Sequence, residues 1–431
     1  MKTAPFLTGS WPGLDISARQ SAPPGARSDH RGVATAYAKC ADTRAAISAL
    51  AHDIADVAPA PLFVLLFLGG RHDPQSALDA MNATFPGIPF LGVSGTGVIA
   101  SEGFGYSGFE AGVIAWAGDR TAPRLVVTTR LAQSDHAGGA ELGRLAKSVE
   151  PDSATVLLFY SSVRSFEPRE LHSASKLIDG FYDGWDGEAP TLIGGGALTD
   201  LNLSESWLLT NDAVHRHAAA ALVFPRVIQA TTEILRACRP ASAFMQITKL
   251  SGDRVLELDG RAALDEINSR LPAPLINAEG HPSQIMILGK KLGDRFGPAS
   301  TADFVNRLIL TGDPKTKSIT LFEPDFSEGD WVQLMSHDAD LMVDEARNGA
   351  RACRTNLPAF RPLVRLYIDC AGRARVMSAT PVEEAGIVQG ELLNDPTPLM
   401  GFYSGVEIAP VDYRSRSLDW TGVLTTLVET V

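Results

Sequence analysis

Leu62-Phe63-Val64-Leu65-Leu66-Phe67-Leu68 is apolar at every position and is bounded by Pro61 and Gly69. A strand with one face in water alternates apolar and polar residues, so an unbroken apolar run predicts a strand covered on both faces. Burying seven such side chains stabilises by roughly 10–20 kcal/mol before entropy, at about 1.5–3 kcal/mol each. Outward from this strand the chain reads as alternating elements. Upstream, Gly32 to Tyr37 reads as a strand, and Asp42 is a good N-cap for a helix running to about Asp56. Downstream, a helix over Pro74 to Thr84 returns to Pro89-Phe90-Leu91-Gly92-Val93 and a glycine-rich loop, Ser94-Gly95-Thr96-Gly97. Two strands around Gly103 to Trp116 follow, turning near Ser107-Gly108.

The same order recurs. Thr155 to Tyr160 repeats the buried strand, Glu167 to Phe181 the helix, and Thr191-Leu192-Ile193 leads into Gly194-Gly195-Gly196 as a second glycine loop. Strands near Ser206 to Thr210 and Ala218 to Phe224 complete the pattern, which reads as a duplicated strand-helix-strand-hairpin unit or as the chance echo that any α/β chain offers. Helical character resumes near Gln229, and Pro240 marks a boundary. Beyond it strands dominate, at Gln246 to Leu250, Val255 to Leu258, Ser283 to Leu288, Phe304 to Leu310, Ser318 to Phe322, Trp331 to Met335, Val364 to Cys370 and Gly401 to Ile408, with a helix over Ala262 to Ser269. The fold class expected is α/β (α+β) with two domains of mixed sheets. The expected boundaries are a Pro/Gly-rich arm over 1–29, an α/β domain over 30–238 and a second α/β domain over 239–431.

Composition narrows the function classes. The chain has 431 residues, 45% of them hydrophobic, with 38 Lys+Arg against 50 Asp+Glu, a formal charge of −12. An acidic balance offers no sequence-independent attraction to phosphate backbones, so nucleic acid is not an expected partner. Cys40, Cys238, Cys353 and Cys370 lack any CxxC or CxxCH spacing, which removes ribbon-type zinc sites and c-type haem attachment and suits reduced thiols in the cytoplasm. The longest apolar run falls far short of the ~20 residues of a membrane span, so no membrane insertion is expected.

Motifs for catalysis are sparse. No Gly-rich stretch ends in Gly-Lys-Ser/Thr, and the segment after Gly95-Thr96-Gly97 reads as strand where a dinucleotide site needs a helix N-terminus. Ser94 misses the nucleophile-elbow pattern by its last glycine, and Ser173-Ala174-Ser175-Lys176 lies on an ordinary amphipathic helix. His215 and His217, two apart on a strand, would share a face and ligate a metal only if a third ligand converged; an exposed turn is the simpler reading. Glu323, Asp325, Glu328 and Asp330 read as a solvated loop.

Several segments resemble the FIST family of paired N- and C-terminal sensory domains. They are Leu62 to Leu68, Pro89 to Gly97, Thr191 to Ala197 with Asp200, Tyr367-Ile368-Asp369-Cys370-Ala371-Gly372-Arg373, and Gly401-Phe402-Tyr403-Ser404-Gly405-Val406-Glu407-Ile408-Ala409-Pro410. The family places an aromatic and then a glycine before this glutamate, where this chain has Gly405 and Val406. The resemblance implies a ligand-sensing role, with amino acids or similar small molecules as ligands and haem-based nitric oxide sensing in one branch. On that reading the pocket is built by Ser94, Gly95, Thr96, Gly194, Gly195, Gly196, Cys370, Arg373, Tyr403, Ser404 and Glu407. Glycine lets backbone amides approach a ligand, Arg373 would fork onto a ligand carboxylate and Glu407 would receive an ammonium group. The alternative is an internal Arg373–Glu407 ion pair with plain turn glycines. Haem b would need an axial ligand, for which His72 and His281 are the candidates. The expected partner is a separate signalling protein, such as a histidine kinase or a cyclic-di-nucleotide enzyme. A rival reading is an enzyme with Cys370 as nucleophile, assisted by Glu407 and a histidine.

Overall fold

The computed structural model describes residues 32–298, 300, 303–357 and 360–430, so the arm expected over 1–29 lies outside the described residues. Described residues fall into two compact units. The larger holds 32–239 and 337–430, and the smaller holds 240–298 and 304–336. The boundary expected after residue 238 therefore meets the edge of the smaller unit. The stretch 337–430, expected in the second domain, belongs to the larger one.

That regrouping has a topological cause: the larger unit contains three copies of one motif where the sequence showed two. The first copy runs β1 (Val33–Lys39), α1 (Thr43–Ile54), β2 (Phe63–Gly69), α2 (Pro74–Thr84), β3 (Phe90–Gly95), the hairpin β4 (Val98–Ala100) and β5 (Phe104–Gly105), and β6 (Glu110–Trp116). β1 and β2 pair antiparallel to β6, and β3 lies parallel to β2. The second copy runs β7 (Arg124–Thr128), α3 (Asp135–Val149), β8 (Thr155–Ser161), the short ribbon β9 (Val163–Ser165) and β10 (Glu170–Leu171), α4 (Ala174–Trp185), β11 (Thr191–Ala197), the hairpin β12 (Leu208–Leu209) and β13 (Val214–His215), and β14 (Ala219–Val223). Its pairings repeat those of the first: β7 and β8 antiparallel to β14, and β11 parallel to β8.

The third copy opens with β15 (Ile228–Leu235), where helix was expected near Gln229. All eight residues of β15 pair with a strand nearly 200 positions later, and the β-branched Thr231 and Thr232 suit that ladder. After β16 (Cys238–Pro240) comes the smaller unit: β17 (Met245–Ser251), β18 (Arg254–Leu258), β19 (Arg261–Ala262), α5 (Ala263–Asn268), β20 (Met286–Lys291), β21 (Phe304–Gly312), β22 (Ile319–Leu321) and β23 (Trp331–His337). The order β23-β17-β18-β22-β21-β20, with β20 pairing back to β23, closes an antiparallel barrel around Ile247, Val255, Leu258, Leu288, Ile309, Ile319 and Leu334. The third copy then resumes with α6 (Ala339–Thr355), β24 (Arg361–Cys370), α7 (Arg375–Ser378), α8 (Glu384–Leu392), β25 (Leu399–Ser404), the hairpin β26 (Glu407–Val411) and β27 (Arg414–Leu418), and β28 (Gly422–Glu429). β15 and β24 are antiparallel to β28, and β25 is parallel to β24. The α/β class with mixed sheets is thus present in full.

Hairpins are exchanged in a ring. The second copy's β12–β13 extends the first copy's sheet at β3, the third copy's β26–β27 extends the second at β11, and the first copy's β4–β5 extends the third at β25. Phe67, Phe159 and Phe402, one from each copy, pack together with centroids 5.0–6.0 Å apart. The strand read from Leu62 starts at Phe63 and is buried throughout, while Leu62 stays 39% exposed. Local signals place the helices: Asp42, Asp73, Ser134, Ser173 and Asp338 each cap one by accepting an early backbone N–H. The helix expected from Glu167 begins instead at Ala174, after β9 and β10. No helix among the described residues is long and apolar enough to cross a membrane.

Candidate functional site

In each copy the parallel pair of central strands ends beside the hairpin lent by another copy. Open α/β sheets bind ligands at the carboxyl ends of such strands. Of the three seams, the one made by β24 and β25 and covered by β4–β5 concentrates buried charge. Asp369 and Cys370 end β24, Tyr403 and Ser404 end β25, Arg373 closes a 3-10 turn after β24, and Glu383 and Glu384 start α8. The β5–β6 turn adds Tyr106.

Arg373 is fully buried. Its Nε and Nη2 donate to the two carboxylate oxygens of Glu384 at 2.9 and 2.5 Å, and Nη1 donates to the Trp420 carbonyl at 3.0 Å. All three guanidinium nitrogens are therefore engaged, and Arg373 is not a free fork for a ligand carboxylate. Burial works against its charge, but Glu384 and Asp369 more than offset this and push its pKa further up. Asp369 is also fully buried, with Oδ1 3.4 Å from Arg373 Nε, and neither carboxyl oxygen receives a hydrogen bond. Burial, then the charge of Glu384, drive its pKa well above the usual carboxylate range. Tyr403 and Tyr106 donate to the two oxygens of Glu383 at 3.1 and 3.2 Å, closing the seam's outer side. The Tyr367 hydroxyl, on the same strand as Asp369, has no partner.

Glu407 lies deeper, on β26, paired to Gly195 of β11. Thr421 donates to its Oε2 through N at 3.3 Å and Oγ1 at 3.0 Å, and Ser404 Oγ is 2.7 Å from Oε1 and 3.2 Å from the Asp369 carbonyl. Burial is the main reason that its pKa is pushed up to about 8. Ser404 Oγ has one proton for these two acceptors; a neutral Glu407 would donate to Ser404 Oγ and leave that proton to the Asp369 carbonyl. Glu407 and Arg373 do not pair; the arginine's partner is Glu384. Cys370 is buried among these groups, and burial pushes its thiol well above the ordinary range, away from the thiolate a nucleophile needs.

The glycines expected to form a loop are strand residues. Gly194, at φ +154°, would place a Cβ 1.9 Å from the Leu158 carbonyl oxygen, and one at Gly196 would lie 2.0 Å from Ser162 Oγ. Their smallness serves close packing of β11 on β8 and on the third copy's hairpin, and their backbone groups are used in pairing. On the first copy, Gly95 pairs with Gly69, Ser94 Oγ accepts from Trp207 N, and the Thr96 backbone N–H donates to the Tyr403 carbonyl. The structure thus gathers Cys370, Arg373, Tyr403, Ser404 and Glu407 about one seam, with Thr96 bonded to its wall. Ser94, Gly95 and Gly194 to Gly196 are engaged in strand pairing and packing.

Residues suited to haem do not assemble. His72 is 2% exposed, its Nδ1 is bonded to Thr43 Oγ1 and its ring packs edge-on against Phe109. His281, in the smaller unit, donates its backbone N–H to Asn277. The two candidates lie in different units, His72 in the larger and His281 in the smaller. No group of three or more metal-ligating side chains occurs among the described residues. His215 is bonded to Thr210, and His217 turns towards His172, so these two do not converge on a metal.

The FIST N domain model matches residues 62–261 and the FIST C domain model matches 261–410, so the chain belongs to the FIST family. FIST domains are sensory domains, and a general sensory role is what they give this chain. The two family segments meet at Arg261, on β19, which pairs with β18 in the smaller unit. No curated protein matches the chain. A chorismatase crystal structure aligns over 92% of this chain and 98% of its own at 10% identity and a TM-score of 0.35, too low a likeness to carry an argument.

Proposed function

We propose that this protein senses a small molecule bearing a protonated amine, received by Asp369 in the β24–β25 seam, and hands its state to a separate signalling enzyme in the cytoplasm. The observation that carries the reading is the seam's imbalance. Asp369 and Glu384 share the buried cation Arg373, whose guanidinium hydrogen bonds go to Glu384 and the Trp420 carbonyl, and the Asp369 carboxyl is buried without a single donor. Buried carboxyls without donors are costly, and an ammonium group supplies both the charge and the hydrogen bonds. An amino acid or another amine fits this chemistry, with its ammonium on Asp369 and no role for Arg373 as carboxylate fork. A ligand that displaces the Tyr106 and Tyr403 bonds to Glu383 would loosen the β4–β5 hairpin from the third copy. A histidine kinase or cyclic-di-nucleotide enzyme is the expected receiver of that change.

The test is calorimetry and thermal unfolding of the full chain with a panel of amino acids and simple amines. A ligand at 100 times its Kd should stabilise by about 2.7 kcal/mol. Binding should also release protons, because Asp369 ionises against the ammonium, which two buffers of different ionisation enthalpy reveal. Undiminished affinity in Asp369→Asn, or no response to any amine, would overturn the proposal.

A further inference from the structure

The first two copies carry matching trios of side chains at the carboxyl end of their central strands, and only one trio is charged. In the first copy His72 stands one residue before the N-cap of α2. Its Nδ1 lies 3.1 Å from Oγ1 of Thr43, the first residue of α1, and its ring meets Phe109. In the second copy His172 stands one residue before the N-cap of α4. Its Nδ1 lies 2.6 Å from Oδ1 of Asp135, the first residue of α3, and its Nε2 lies 3.1 Å from Nδ1 of His217. Phe109 and His217 hold one position. Each stands two residues before the strand residue, Ala111 or Ala219, that pairs with the penultimate residue of the central strand, Leu68 or Tyr160. Where the first copy has Thr–His–Phe, the second has Asp–His–His.

With His172 a neutral imidazole, hydrogen bonding orders the protons along the second trio. Asp135 accepts from Ser173 N and from Arg164 Nη2, each at 2.9 Å, as well as from His172. An ionised carboxylate only accepts, so His172 carries its proton on Nδ1 and offers a lone pair at Nε2. His217 must then donate from Nδ1, which leaves a lone pair on its Nε2. His172 is 2% exposed and His217 half-buried, so the relay runs from a buried anion towards the surface. Burial disfavours a protonated His217, and the nearby cations Arg164 and Arg216, the latter paired with Glu205, add to this.

We propose that His217 is a reactive imidazole whose Nε2 attacks the carbonyl carbon of a small activated ester. The Nε2 lone pair forms the bond to carbon, the carbon–oxygen bond to the leaving group breaks, and the alcohol part departs with the electron pair. The acylated ring keeps its Nδ1 proton and becomes cationic, and the charge of Asp135 faces it through His172. Water then adds to the acyl carbon, the acid leaves and the neutral ring is restored, so one ester and one water yield one acid and one alcohol. The Asp135–His172 pair orients and balances, the function that an aspartate serves behind a histidine base.

The test is p-nitrophenyl acetate hydrolysis by the full chain, with acetylated peptides located by mass spectrometry. His217→Phe and Asp135→Thr copy the first copy's own neutral trio, so both variants have a precedent for folding within this chain. Each is expected to slow p-nitrophenolate release by about tenfold or more. Wild-type protein should carry the acetyl group on His217 ahead of the exposed His136. Unchanged release in His217→Phe, or acetylation of His136 at an equal rate, overturns the proposal. A relay with a merely structural role would change thermal stability in these variants and leave the rate alone, which also overturns it.

Discussion

Replacing Glu407 by Gln isolates the proton that the fold holds in the seam. In the folded chain burial pushes the carboxyl's pKa up to about 8 from an ordinary value of 4.5. A raised carboxyl pKa means that the folded state keeps a proton which the unfolded chain releases. Its contribution is therefore fully present below pH 4.5 and is lost as pH rises towards 8 and through it. One proton is worth about 1.36 kcal/mol per pH unit, so the window from 4.5 to about 8 amounts to an upper figure of about 5 kcal/mol. Glutamine reproduces the neutral acid: Nε2 donates to Ser404 Oγ, Ser404 donates to the Asp369 carbonyl, and Oε1 accepts from Thr421. Urea unfolding of wild type and Glu407→Gln at pH 5, 6.5, 8 and 9 checks this. The two should be within about 1 kcal/mol of each other at pH 5, since the hydrogen bonds are equivalent. The gap should then open in favour of the glutamine variant and level off above pH 8. A gap independent of pH, or one that favours wild type at pH 8, refutes the neutral-acid reading and makes Glu407 a carboxylate.

Arg373→Met should be the most damaging change in the seam, costing about 3–5 kcal/mol at pH 7.5, because it strands Glu384 and Asp369 without a cation. Denaturant midpoints of wild type and variant at pH 7.5 measure it. Gly196→Ala should destabilise by about 1–3 kcal/mol through the collision of its Cβ with Ser162 Oγ, and Ser162→Ala should recover part of the loss; thermal unfolding of the two single variants and the double variant decides it.

Much of the fold was legible because its signals are local. The apolar run before Gly69, the Asp73-Pro74 start of α2 and the Asp42 cap all act within a few residues. What stayed hidden depended on distant partners. The third copy was masked because the barrel separates β15 from α6 and leaves β15 nearly 200 positions from its partner β28. Gly194 to Gly196 looked like a loop, since glycine is rare inside strands; its reason, the nearness of Leu158 and Ser162, is tertiary. In the seam, the residues from 370 to 407 drew attention, but charge alone could not choose a partner for Arg373. Glu384, eleven positions on and across a short helix, wins by geometry. His172 was missed altogether. Its one signal was a histidine before a helix cap in the second copy, as His72 is in the first, and that parallel is visible only once the copies are superposed.

Exchanged hairpins set a timetable for synthesis. The edge formed by Val98, Ile99 and Ala100 is buried in the finished protein against β25, whose first residue is Leu399. A ribosome adds about 5–20 residues per second, so the roughly 290 residues between Gly105 and Leu399 take on the order of 15–60 s to appear. Throughout that interval a fully apolar edge waits without its strand. The nascent chain is therefore most open to mispairing, and most in need of a chaperone, while its middle and last thirds are being translated.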